Sequence, residues 1–167
     1  MHLEPWSHTL HGQPFRAICA DPEVMHFLGG PASPEQADAS SQRLEAHWRE
    51  YGFGLWAVRD SDTGALAGFA GLSHPLWWPA RAGVVEVGWR LARHAWGKGF
   101  ATRAGQAAID EARMVGGVPQ VHTFIHPDNA RSLAVATRLG FTEYERAEHP
   151  IRAGEPILAL SRGTARR

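Results

Sequence analysis

The stretch VEVGWRLARHAWGKGFATRAGQAAIDEA, residues 85–112, decides the fold. Its first part alternates as a strand: Val85, Val87, Trp89 and Leu91 fall on one face, Glu86, Gly88 and Arg90 on the other. From about Phe100 the period becomes helical, with Ala101, Ala104, Ala108, Ala112 and Val115 in one stripe and Gly116-Gly117 as the stop. Between strand and helix lies the turn HAWGKG. Gly97 and Gly99 allow a tight backbone turn and close approach of a ligand. The first amides of the helix have no internal acceptor, and such a terminus attracts anions, phosphates above all. Lys98 adds a positive charge and Thr102 a hydroxyl. Two nucleotide motifs fit poorly: Lys98 precedes the second glycine, unlike a Walker A loop, and Thr102 stands where a dinucleotide fingerprint needs its third glycine.

Working outward, HLEPW reads as a short strand, and the segment from His11 as a helix ending near Asp21-Pro22. Ser33, Pro34 and Gln36 form a capping-box start for a helix running to about Glu50. FGLWAVRD and ALAGFAGLS are strands joined by the turn SDTG. A loop follows, with two prolines around Trp77-Trp78. After the central helix, QVHTFIH is a strand and PDNARSLAVATRLG a helix capped by Asp128 or Asn129. FTEYERAEH and EPILALSR are closing strands, and GTARR is a loose tail. The expected architecture is α/β (α+β): one domain over residues 1–167, a mixed sheet with helices on its faces.

Length and composition agree with one globular unit. The chain has 167 residues, 44% hydrophobic and 20% charged, and no net charge. Zero balance argues against nucleic-acid binding through bulk charge. No apolar run is long enough to span a membrane, and MHLEPWSHTL lacks a basic-then-apolar leader, so the expectation is a cytoplasmic protein without membrane partners. The single cysteine, Cys19, leaves no disulfide framework and falls in an apolar stretch, as a core residue does. Ten histidines raise a metal question, but His122 and His126 lie four apart on a strand with no further ligand beside them, so no metal site is expected. Residues 1–60 carry eight acids against four bases, which makes the front half acidic and the remainder basic.

The 85–112 stretch, together with HPDNARSLAVATRLGFTEYER (residues 126–146) and DPEVMHFL near the front, resembles the GNAT superfamily of acetyl-CoA-dependent N-acetyltransferases. The branch with the ribosomal-protein N-terminal acetyltransferases is the most similar. The resemblance covers nearly the whole chain and implies a mostly antiparallel sheet. It also implies acetyl-CoA as cosubstrate, with the family's phosphate loop at Trp96-Gly97-Lys98-Gly99-Phe100-Ala101 and Thr102 following. Trp96 replaces the usual first Gln or Arg, so the cradle there is backbone. The resemblance further implies a strand splayed from its neighbour, with the pantetheine arm inserted along Trp89, Arg90 and Leu91 and its amides held by Asn129.

Moving acetyl from a thioester to an amine needs a base, an oxyanion donor and sometimes an acid for the thiolate. Glu86, mid-strand beside the open space of Gly88, is the candidate base, where several members of the family place a strand carboxylate. A backbone N–H near Trp89 to Leu91 is the candidate oxyanion donor. Many relatives carry a tyrosine acid seven residues after the Asn; here that position is Ala136. Ser132 is the substitute, as acid or hydrogen-bond partner of the sulfur. Trp77 and Trp78 cannot both enter one core; a lid over the acceptor site, a subunit contact and simple packing are the alternatives. The expected function is transfer of acetyl to a primary amine, of a protein N-terminus or a small molecule, by direct attack in a monomer or homodimer. The alternatives are a non-catalytic acyl-CoA sensor on the same fold and a nucleotide-binding module using the same turn.

Overall fold

The computed structural model describes residues 1–114 and 118–165. Seven strands form one sheet: β1 (His2–Pro5), β2 (Leu55–Arg59), β3 (Leu66–Ser73), β4 (Val85–Leu91), β5 (Gln120–Ile125), β6 (Thr142–Glu148) and β7 (Pro156–Gly163). Their order across the sheet is β1-β2-β3-β4-β5-β7-β6, and every neighbouring pair is antiparallel except β4 and β5. Five helices cover the faces: α1 (His8–Ala20), α2 (Pro22–Met25), α3 (Pro34–Tyr51), α4 (Phe100–Met114) and α5 (Ala130–Arg138).

The β4 alternation holds. Val85, Val87 and Leu91 are buried, and Trp89 packs with them, on the α4 and α5 side. There Val85 and Val87 meet Ala108, Ile109, Ala112, Ala136 and Leu139. On the opposite face Trp6, Phe15, Ile18, Cys19, Leu55 and Phe69 form a second core beneath α1 and α3. The capping box of α3 forms as the residue types require: Gln36 N–H donates to Ser33 Oγ, and Ser33 N–H to Gln36 Oε1.

Some boundaries differ from the sequence reading. Helix α1 begins three residues earlier, at His8, and carries Pro14 within it. After Asp21 the chain starts again as α2, because the Asp21 side chain caps the amides of Glu23 and Val24 and Pro22 suits the first helical position. The expected extension of α4 to Val115 and its Gly116-Gly117 stop lie outside the described residues. So do Arg166 and Arg167 of the expected tail, but Thr164 is not loose. Its hydroxyl donates to Val118 O at 2.6 Å, its amide donates to Pro119 O, and its carbonyl accepts from Arg113. No helix among the described residues is long and apolar enough to cross a membrane.

Candidate active site

β4 and β5 are the two parallel strands, and their register contains only Val85↔Val121 and Glu86↔His122. Both strands continue, β4 to Leu91 and β5 to Ile125, so beyond Glu86 they diverge. Which amides of β4 face the gap follows from its other edge. Ala92 N–H donates to Ala67 O of the β3 side at 2.8 Å. Counting back in the antiparallel register, Arg90, Gly88 and Glu86 also turn their amides to β3, and Leu91, Trp89 and Val87 turn theirs to β5. Trp89 and Leu91 therefore offer backbone donors to the cleft. Arg90, expected in the same backbone row, does not, because its N–H is turned to β3.

At the far end of the gap lies the glycine turn. Gly97 and Gly99 have φ of +75° and +74°, the left-handed region that costs glycine nothing. A Cβ built on either would meet no atom within 4 Å, so the loop is open on the side its backbone presents. Arg103 is the first residue whose amide bonds back, to Gly99 O at 3.0 Å, and the amides of Phe100, Ala101 and Thr102 precede it unpaired at the helix start. Open amides at a helix start are an arrangement that suits an anion. The Phe100 side chain itself is buried in the core, so only its backbone is available.

Charge in the cradle differs from the expectation. Lys98 is not a free cation: its Nζ donates to the buried Asp60 carboxylate at 3.0 Å, and the Asp62 amide first, then Lys98, holds that carboxyl below its usual range. The cations left facing solvent are Arg103, over the Phe100 ring, and Arg131, whose guanidinium stacks 4.1 Å from the Trp96 ring centroid. Neither was singled out from the sequence. Arg131 was legible in principle, two residues after the capping Asn129. Trp96 also donates its indole N–H to Leu91 O at 2.8 Å, tying the turn to the end of β4.

The N-terminus of α5 closes the other wall. Asn129 Oδ1 accepts from Ser132 N–H at 3.1 Å, so Asn129 is the helix cap. Ser132 Oγ accepts from the Trp89 indole at 3.3 Å, which leaves its own O–H free to donate. Ala136 is fully buried against the α4 side, so no acid could act from there.

Glu86, Gly88 and Arg90 face the α1–α3 side. Glu86 is only partly covered from solvent yet lies deep among protein atoms, the position of a group in a cleft wall. Burial pushes its pKa up to about 7, and the neighbouring Trp77 indole pulls slightly back. A Cβ on Gly88 would come no closer than 3.6 Å to Leu55 and 3.9 Å to Glu86, so space remains beside the carboxyl.

Three loops surround this face. From 74–84, Trp77 stacks on His149 at 5.1 Å, and both Trp77 and Trp78 lean on Phe124, at 5.6 and 5.2 Å. Neither tryptophan is exposed: Trp78 is buried and Trp77 half-buried, because an irregular loop, unlike a strand, can turn adjacent side chains to one surface. From 149–155, Arg152 donates to Phe27 O, and Phe27 of the 26–32 loop stacks on His126. His122 bonds Tyr144 Oη at 3.1 Å, and His126 accepts from the Asp128 amide. Among the described residues no three His, Cys, Asp or Glu side chains gather as metal ligands. Cys19 is buried, as expected for core. His74 bonds Val84 O and donates its amide to His47, a structural role at the base of the tryptophan loop.

A parallel pair splayed beside a glycine turn that opens a helix gives a cleft with an anion-binding end. The profile of the acetyltransferase (GNAT) domain matches residues 1–142, and the chain belongs to that family. It is similar to the acetyltransferase of Agrobacterium tumefaciens strain C58, 26% identical with a TM-score of 0.79, over 96% of this chain and 88% of that one. The fold is also that of a ribosomal-protein-alanine N-acetyltransferase from Brucella melitensis (20% identity, TM-score 0.75, 98% and 99% covered). A third likeness is yncA of Salmonella typhimurium, solved with its cofactor acetyl-CoA (15% identity, TM-score 0.72, 100% and 96% covered).

Proposed function

We propose that this acetyltransferase moves acetyl from acetyl-CoA to a primary amine by direct attack. The observation that carries the reading is the cleft between β4 and β5. It runs from the open Gly97–Gly99 cradle, past the unpaired amides of Trp89 and Leu91, to Glu86. The cradle, with Arg131 and Arg103 beside it, suits a diphosphate, and the acetyl-CoA solved in yncA supports that cosubstrate.

In this reading Glu86 removes the ammonium proton, directly or through water, because a base with pKa near 7 is half-ionised at neutral pH and can exchange protons with an amine. The nitrogen then attacks the thioester carbon. The Trp89 N–H donates to the developing oxyanion; the tetrahedral adduct collapses as the C–S bond breaks, and the second proton shed by the nitrogen is matched by the one the thiolate takes up to leave as free thiol. Ser132, oriented by the Trp89 indole, supplies a hydroxyl hydrogen bond to the sulfur.

The test is thiol release from acetyl-CoA with a panel of amines, next to calorimetric binding of acetyl-CoA. Turnover is expected, reduced about 100-fold or more by Glu86→Gln with acetyl-CoA affinity kept. Tight acetyl-CoA binding without release on any amine would favour the sensor reading. Stabilisation by ATP or NAD equal to that by acetyl-CoA would favour the nucleotide module.

A further inference from the structure

Arg90 shares the acceptor-side face of β4 with Glu86, and Gly88 between them carries no side chain. Its guanidinium lies between the sheet and α1, 5.3 Å from the Phe69 ring and 5.7 Å from that of Phe15. Among the described residues the guanidinium makes one hydrogen bond, from Nη1 to Cys19 Sγ at 3.4 Å, and sulfur is a weak acceptor. Nε is buried with no partner. No carboxylate among the described residues pairs with it.

Six of the eight acids of the front half are engaged elsewhere. Glu4 holds Arg59 and His11, Asp21 and Glu23 hold Arg93, Asp38 holds Arg16, Asp60 holds Lys98, and Glu45 accepts from the His8 amide. The charge nearest in kind is Arg43 of α3, a second cation; burial first, then Arg43, lowers the Arg90 pKa. A guanidinium whose Nε–H is buried and unmet is costly to keep. Its planar fork is shaped for a carboxylate, which it binds through two parallel hydrogen bonds.

We infer that the acceptor is an amine that also carries a carboxylate, the amine at Glu86 and the carboxylate on the Arg90 guanidinium. This rests on the amine-acetylation reading above and narrows its substrate class from any primary amine to amino acids, α or ω. Glu86 and Arg90 are four residues apart on one strand, about 13 Å between Cα atoms before two long side chains shorten the span. From its end of that span the Glu86 carboxylate leans toward Gly88, its Oε1 3.9 Å from where a Cβ would stand there.

The test separates binding from turnover. The probes are N-acetylated α- and ω-amino acids and their uncharged N-methylamides, titrated calorimetrically into enzyme saturated with CoA. Wild type is expected to bind the best acid at least about 10-fold more tightly than its amide, the size of a charge-assisted hydrogen-bond pair. Arg90→Met, which keeps the apolar stem, is expected to erase that preference, and exposed Arg43→Ala to reduce it about 3-fold. CoA affinity should be unchanged in both. An absent acid preference in wild type, a preference surviving Arg90→Met, or a loss of CoA affinity in that variant overturns the inference. Should Arg90→Met fail to fold, the wild-type preference and its reduction by Arg43→Ala decide. Thiol release is scored separately, so a chain that turns over no amine counts against the catalytic reading while the acid preference stands or falls by itself.

Discussion

Glu86 illustrates how burial sets both chemistry and stability. Its folded pKa of about 7 lies above the ordinary 4.5, so the folded chain holds a proton that the unfolded chain gives up. At pH 4 both states are protonated and the residue costs nothing. Between pH 4.5 and 7 the unfolded state ionises first, and stability falls by this group's share as pH rises. Glu86→Gln removes that effect. Its Tm should match wild type at pH 4 and exceed it at pH 8, measured by thermal denaturation in matched buffers. Activity runs the other way: kcat/KM of wild type should climb through a midpoint near pH 7 as the carboxylate forms, and the variant should lose that limb. Residue roles were partly legible. The alternation of 85–91 by itself puts Glu86, Gly88 and Arg90 on one face. That Arg90 turns its amide to β3, and that Lys98 is neutralised by Asp60, depend on contacts between segments remote in sequence, which no local pattern encodes.

At the scale of elements, the glycine turn and the helix caps carried their meaning in the chain itself. Ser33, Pro34 and Gln36 predict the start of α3 because a capping box is local chemistry over four residues. Ser33→Ala should cost about 1 kcal/mol and lower Tm by about 2–4 °C in calorimetry. Gly97→Val tests the turn. The position has φ near +75°, which a β-branched residue adopts only with strain, and the added methyls would fill the open cradle. Acetyl-CoA binding should fall about 100-fold or more in calorimetry, while far-UV circular dichroism stays that of wild type. Less was legible in α2 and the tryptophan loop. Asp21 caps a new helix just where Pro22 also signals an end, and periodicity cannot rank those two. Trp77 and Trp78 lean on Phe124, 47 and 46 positions away.

For the whole molecule, the order of strands and helices followed from hydrophobic periodicity, but sheet order did not. Pairing β5 with β7 and leaving β6 at the edge is a long-range choice, made by which faces bury most apolar surface. The sparse register between β4 and β5 splits the sheet into two leaves, β1–β4 and β5–β7, joined along a short spine at Val85 and Glu86. Such a sheet is a half-open book whose missing rungs an outside molecule can supply. The Trp89 and Leu91 amides should exchange with deuterium quickly in the free chain and far more slowly with acetyl-CoA present. The protein would then gain stiffness across its middle only while it holds a load, and binding would complete its architecture as well as its chemistry.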